Sequence, residues 1–228
     1  MKKTKLVAFI PARRNSKGIV FKNRQKISGL SLVEHAFNVA SQCNFDQIII
    51  STDDEYFLEH DNLSKYCEYR GKNTSGDDAT VSDIIREYSN DQSRKNDFFV
   101  IMEPTCFIRN KHHLDFLFND DFFQTKKRSF ASFVEAPVVR EKIWDYKSGR
   151  MISGPIVWRR RQEYDRQYVL SGHYYGLYLS EINNFYPGLC DENVYPIIID
   201  GVHIDIDSQL DLDVARILIE KSGETINP

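Results

Sequence analysis

Long apolar runs are missing from this 228-residue sequence. No stretch approaches the roughly 18 residues needed to span a bilayer, and Leu6–Ile10 is too short for a signal-peptide core. The expectation is therefore a soluble, cytoplasmic protein with no membrane partner. Cysteine is scarce: Cys43, Cys67, Cys106 and Cys190 stand far apart, with no CxxC pair and no histidine at metal spacing. That excludes a disulfide framework and argues against zinc, leaving reduced thiols. No glycine-rich phosphate loop is present, neither GxxxxGK[ST] nor GxGxxG. An overall cationic excess is also lacking. A net charge of −3 and a pI near 6.1 fit poorly with nucleic-acid binding, even with the run Arg159–Arg161. Repeats and low-complexity linkers are absent as well.

What is present is ordinary globular composition, 41% hydrophobic and 28% charged, in a length suited to one sizeable core. The charge is unevenly spread. Residues 1–33 hold nine Lys/Arg and no acidic residue, while the rest carries 21 basic against 33 acidic residues. A cation-rich opening on an acidic body suggests a local anion site. Solvation of a basic tail accounts for Lys2, Lys3 and Lys5, less well for the cations that follow.

Short apolar segments alternate with helical patterns. Leu6–Pro11, Gln47–Ser51, Phe98–Met102, Phe130–Val134, Tyr174–Leu179 and Ile197–Ile199 read as strands. Helices are expected from a Ser31 cap to about Gln42, over Asp54–Cys67, Thr80–Tyr88 and Lys111–Phe118, and from Gln209 to Lys221. This rhythm predicts an α/β class, Rossmann-like, with an open, mostly parallel sheet flanked by helices. Residues 1–228 form one domain on this reading. A segment at about 135–170, with Trp144 and Trp158, breaks the rhythm and is expected to be a small inserted lobe.

Three segments carry chemistry. Pro11–Asn23 (PARRNSKGIVFKN) follows the first strand, where ligands bind in open α/β sheets. Its cations Arg13, Arg14, Lys17 and Lys22, with Asn15, Ser16 and Asn23, suit a triphosphate. The alternative is a surface loop with solvated cations. In His203-Ile204-Asp205-Ile206-Asp207, alternation puts both aspartates on one face, a natural seat for Mg²⁺. Such pairs are common without a metal, and a plain lead into the helix near Ser208 stays open. Glu103-Pro104-Thr105-Cys106-Phe107-Ile108-Arg109 could offer Arg109 to an anion and Glu103 to a sugar hydroxyl, or be a simple strand-to-helix turn. Thr52–Glu55 reads as a helix N-terminus. His35, His60, His112, His113 and His173 are given no role.

With these segments in order, the sequence resembles the acylneuraminate (CMP-sialic acid, CMP-nonulosonate) cytidylyltransferases and, more broadly, CMP-KDO synthetases. The motifs are IPARRNSKGIVFKN (10–23), IIISTDDE (48–55), SGDDATVSDII (75–85), EPTCFIR (103–109), RRRQ (159–162), GLYLS (176–180) and HIDIDSQLDL (203–212). The resemblance implies a CTP-dependent enzyme using Mg²⁺ on Asp205 and Asp207, with Arg13, Lys22 and Asp207 as catalytic residues. It implies nucleotide contacts from Arg13, Asn15, Ser16, Lys22, Asn23, Arg70, Thr80 and Ser82. It places Glu103, Lys142, Arg161 and Tyr178 at an acidic-sugar site, an N-acylneuraminate or related nonulosonate, and makes the 135–170 segment a homodimer interface.

The departures fall on the acceptor side. Glu103 stands where the family usually has glutamine, PTCFIR replaces PTSPLR, and Tyr174-Tyr175-Gly176-Leu177-Tyr178 replaces NGAIY. Cytidylyl transfer to KDO or a phosphonate, or a non-catalytic nucleotide-binding homologue, are the alternatives.

Overall fold

The computed structural model describes residues 4–76, 78–119, 121–138, 142–148, 150–153, 160 and 163–222. Seven strands form the main sheet: β1 (Leu6–Pro11), β4 (Gln47–Thr52), β5 (Cys67–Tyr69), β6 (Phe98–Ile101), β7 (Ser129–Glu135), β10 (Tyr168–Tyr178) and β11 (Tyr195–Ile198). Two small hairpins, β2 (Lys26–Ile27) with β3 (Leu30–Ser31) and β8 (Trp144–Lys147) with β9 (Arg150–Ser153), lie outside it.

The order across the sheet is β11-β7-β10-β6-β1-β4-β5. β1 pairs in parallel with β4 and β6, β4 with β5, and β7 with β11; β10 runs antiparallel to β6 and β7. The expected open, mostly parallel sheet is thus what forms.

β1 and β6 are apolar throughout, and β4 is so over Ile48–Ile50, because both faces are covered. Ala8, Ile10, Ile50, Phe98 and Val100 face one core, against Val33, Ala36, Val39 and Ala40 of α1 (Leu32–Ser41). Val7, Phe9, Ile49, Phe99 and Ile101 face the other, against Ile84 and Ile85 of α4 (Val81–Ser89) and Ile182 and Phe185 of α7 (Ile182–Phe185). A capping box between Ser31 and Glu34 starts α1 where expected.

The segment Asp54–Cys67 departs from its expected helix. Only α2 (Glu55–Leu58) is α-helical, and Cys67–Tyr69 becomes the edge strand β5. Three short helices complete the set up to the last: α3 (Lys72–Ser75), α5 (Asp115–Phe118) and α6 (Asp121–Gln124). α8 (Gln209–Ser222) closes the chain; the Ser208 hydroxyl and Asp211 carboxylate cap it reciprocally.

Between Leu170 and Tyr175 the pairing of β10 with β7 slips. Five steps along β10 match two along β7, so Ser171, Gly172 and His173 bulge past the end of β6. Ser132 pins the bulge, accepting from Tyr174 N at 2.9 Å and from the Ser171 hydroxyl at 2.8 Å.

A third cluster lies at the C-terminal end of the sheet. Ile19, Ile27, Leu32, Phe107, Ile206, Leu212 and Ala215 bind the loop after β1 to the segment before α8. Each fully buried aliphatic side chain contributes about 1.5–3 kcal/mol. This cluster therefore makes two loops, far apart in sequence, one rigid site.

Candidate active site

The loop after β1 is held by backbone and side-chain bonds to the neighbouring strand. Ala12 N donates to Ser51 O at 2.9 Å, the Thr52 hydroxyl to Ala12 O at 2.5 Å, and Arg14 N to Asp53 at 2.7 Å. Asn23 is buried and donates to Arg13 O at 2.9 Å, closing the loop on itself. Arg24 stacks over Phe21 at 4.2 Å and Tyr56 at 5.0 Å and pairs with the buried Asp54. Asp54 also caps α2 by accepting from Tyr56 N, as expected of a helix N-terminus rather than a metal ligand.

Gly18 is required for contact. A Cβ there would lie 1.9 Å from the backbone oxygen of Asp207. Only a residue without a side chain lets the cationic loop touch the aspartate segment.

A cavity of about 250 Å³ opens at this junction. It is lined by Arg13, Ser16, Lys22, Asn23, Arg70 and Thr80 on the loop and α4 side, and by Glu103 and Thr105 opposite. Six of the eight residues expected at the nucleotide therefore meet in one space. Asn15 faces an adjoining, more open cleft with Phe21, Tyr69 and Lys72. Ser82 is buried beneath, bonded to the Thr80 hydroxyl at 2.8 Å and donating to Pro187 O at 2.7 Å. It supports Thr80 rather than facing the cavity.

Arg70 is buried, and its Nε donates to Thr74 O. Burial pulls it down to about 10, with Arg13 adding to the fall and Asp53 opposing it. It still carries its charge at neutral pH. Three cations, Arg13 and Lys22 from the loop after β1 and Arg70 from beyond β5, thus face one cavity whose walls also include the N-terminus of α4, favourable ground for a polyanion.

On the opposite lip, Ile206 is buried while Asp205 and Asp207 are exposed, as the alternation required. Ile206 N donates to Thr105 O at 3.2 Å, fixing the segment against the Glu103 loop. Lys22 Nζ lies 2.9 Å from Asp207 Oδ1. Burial first, then the Asp205 carboxylate, push the Glu103 carboxyl up to about 7; Arg109 and Lys22 oppose that rise. Asp205 and Asp207 are the oxygen donors here that could hold a divalent cation such as Mg²⁺.

Arg109 is corrected from a possible anion grip to a structural staple. It is 2% exposed, and its guanidinium donates to Glu103 O and His173 O, tying the loop to the β10 bulge. Tyr178 is corrected too. β10 runs antiparallel, so Tyr178 pairs with Phe98 at the start of β6, the edge opposite the cavity. Lys142 is exposed with its ammonium 5.3 Å from the Tyr164 ring, and does not line the cavity. Arg161 and Trp158 lie outside the described residues, and of Trp144 only the backbone, in β8, is described.

The histidines hold what the sequence did not reveal. One donor atom each from Cys106, His173 and His203 lies within 4.8 Å of the others. The expectation that no cysteine or histidine is placed for a metal took spacing along the chain as its guide. The fold brings together three residues from three segments.

The fold is similar to CMP:2-keto-3-deoxy-manno-octonic acid synthetase complexed with CTP, with a TM-score of 0.69 at 14% identity, covering 96% of this chain and 100% of that one. It is also similar to 2-C-methyl-D-erythritol 4-phosphate cytidylyltransferase of Francisella tularensis, with a TM-score of 0.62 at 14% identity, covering 94% and 99%. In sequence the chain is similar to cytidylyltransferases: the family model of that description matches residues 7–105. N-acylneuraminate cytidylyltransferase of Streptococcus agalactiae serotype V is 31% identical over 120 residues, 48% of this chain and 27% of that protein. A serotype III counterpart is 30% identical over the same shares. The match thus spans about a quarter of the length of these curated relatives. The family model takes in the cation side of the cavity and Glu103, and stops short of Asp205 and Asp207.

Proposed function

We propose that this chain is a CTP-dependent cytidylyltransferase that transfers CMP to an acidic sugar, an N-acylneuraminate or related nonulosonate, and releases pyrophosphate. One observation carries this reading: Arg13, Lys22 and Arg70 line the cavity beyond β1, and Lys22 reaches out of it to bond Asp207 of the Asp205–Asp207 segment. Cations for a triphosphate and carboxylates for its counter-ion meet at one point.

In the reaction an acceptor hydroxyl oxygen attacks the α-phosphorus of CTP. The new P–O bond forms as the bond to the β-phosphate breaks, and the hydroxyl proton leaves to solvent or base. Positioning and charge stabilisation supply most of the acceleration in such transfers. Arg13 and Lys22 hold the phosphate oxygens and offset the charge that grows on pyrophosphate. Arg70 and the α4 N-terminus at Thr80 fix the nucleotide end, with Asn23 and Ser16 as hydrogen-bonding groups. Asp205 and Asp207 would hold Mg²⁺, whose chemistry there would be to neutralise phosphate charge. Glu103, at the cavity wall, faces the acceptor.

A related reading, transfer to KDO or another acidic acceptor, is favoured by a specific set of positions. Glu103 replaces the usual glutamine, while Lys142 does not line the cavity and Tyr178 stands at the opposite sheet edge. The acceptor is therefore named here by its anionic class. We also infer a homodimer through the 135–170 segment, which carries exposed Val138, Ile143, Tyr168, Val169 and Leu170. No described helix is long and apolar enough to cross a membrane, in keeping with a cytoplasmic site of action.

Pyrophosphate release from CTP and Mg²⁺ across a panel of nonulosonates, KDO and neutral sugars tests the proposal. Release with at least one acidic sugar and none with neutral sugars is expected. CTP binding without release from any acceptor would point to a non-catalytic homologue.

A further inference from the structure

Beside the carboxylate lip lies a second cluster that nucleotide transfer does not use. Cys106 and His173 are fully buried and His203 is half-buried. The two imidazole rings sit 5.0 Å apart. Cys106 Sγ contacts Ser171 O at 2.9 Å, and His173 Nδ1 contacts the Ser171 hydroxyl at 3.0 Å. That leaves His203 Nδ1 buried with no hydrogen bond, while the remaining partner of the His173 ring is the Ile108 carbonyl, a weak one. A buried nitrogen without a partner, set beside a thiol and a second imidazole, requires an explanation, since buried polar atoms otherwise find partners.

We propose that Cys106, His173 and His203 form a binding site for a transition-metal dication of the zinc type, distinct from the Mg²⁺ seat on Asp205 and Asp207. One thiolate and two imidazoles are a donor set that zinc prefers and Mg²⁺ does not. The three donor atoms already lie within 4.8 Å of one another. A tetrahedral ion with bonds of about 2.0–2.3 Å needs them roughly 3.3–3.6 Å apart, which side-chain rotation of about an ångström supplies. The fourth position stays open to water. Binding exchanges the Cys106 thiol proton for the metal, so one proton leaves to solvent per ion bound.

The buried Arg109 lies near Cys106, so a thiolate formed there has a cation beside it. Gly172, at φ +70, lets the bulge approach closely: a Cβ there would meet Cys106 Sγ at 3.1 Å and Glu103 Oε2 at 3.3 Å. The ion would tie three segments together: the Glu103 loop, the β10 bulge and the strand leading to Asp205. It would hold the carboxylate lip in place without touching nucleotide.

The test is a titration of the metal-stripped full chain with Co²⁺, followed by near-ultraviolet absorption. A thiolate-to-cobalt charge-transfer band is expected, saturating at one equivalent, bleached by Zn²⁺ and unaffected by excess Mg²⁺. It is lost in Cys106→Ser, and His203→Gln weakens Co²⁺ binding by at least roughly tenfold. Asp207→Ala keeps the band, which separates this site from the proposed Mg²⁺ seat. A wild-type chain without the band, or a band persisting in Cys106→Ser, overturns the proposal. Should Cys106→Ser fail to fold by circular dichroism, unchanged Co²⁺ affinity in the half-buried His203→Gln variant overturns it instead. Cytidylyl transfer is not read in this experiment, so its outcome is independent of the function proposed above.

Discussion

The Lys22 ammonium lies 2.9 Å from the Asp207 carboxylate across 185 residues of chain. One partner belongs to the loop after β1 and the other to the lead into α8, so the pair closes the proposed catalytic cavity from both ends of the sequence. Lys22 is largely buried at its side chain, and Asp207 largely exposed.

Lys22→Ala is expected to lower kcat/KM for CTP by roughly ten- to hundredfold, since one charge-assisted contact is worth about 1.5–3 kcal/mol. The acceptor KM should change little. Steady-state pyrophosphate release with each substrate varied in turn makes the comparison, and unchanged CTP kinetics would remove Lys22 from the phosphate site.

The double variant Asp205→Ala, Asp207→Ala should lose turnover by roughly a hundredfold or more. Both side chains are exposed, so thermal stability should stay close to that of the parent chain. Near-normal turnover at saturating Mg²⁺ would show that these carboxylates do not hold the metal.

Gly18→Ala places a methyl group where the Asp207 backbone oxygen stands, 1.9 Å from the new Cβ. The two loops must move apart, at a cost of about 1–3 kcal/mol. Denaturant unfolding should show that loss, and pyrophosphate release should fall with it. An unchanged midpoint and unchanged activity together would mean that the loops do not touch in solution.

Glu103 makes stability depend on pH. Its carboxyl rises from an ordinary value of 4.5 to about 7 in the folded chain, so the native state binds the proton more tightly than the unfolded state. Its contribution is greatest below the unfolded value and is lost as pH climbs through the window from about 4.5 to 7. The loss is up to about 3 kcal/mol. Glu103→Gln, neutral at every pH, should flatten that falling limb; unfolding free energies of both chains at pH 5 and 7.5 would show it. The same substitution should shift preference among acidic acceptors more than it alters CTP use.

Leu170→Glu puts a charge on the exposed apolar end of β10, where Val169 and Leu170 are 44% and 51% exposed. We expect a dimer for the parent chain and a monomer for the variant in sedimentation velocity. A monomeric parent chain at micromolar concentration would overturn the interface reading.

The amino-acid sequence by itself determined the sheet's centre and the two lips of the cavity. β1, β4 and β6 are legible because a strand buried on both faces must be apolar at every position. Arg13, Lys22 and the Asp205–Asp207 alternation are legible because they sit next to those strands. Tertiary structure decided the rest. β5 is three residues long and polar at Glu68, so no periodicity marks it; its place comes from pairing with β4. The reversed direction of β10, set by packing between β6 and β7, carried Tyr178 to the far edge and brought His173 to the near one. The meeting of Cys106, His173 and His203 depends on that reversal and on the bulge. Periodicity is a local property that neighbouring residues encode, whereas strand direction and the convergence of distant side chains are settled by which surfaces bury one another.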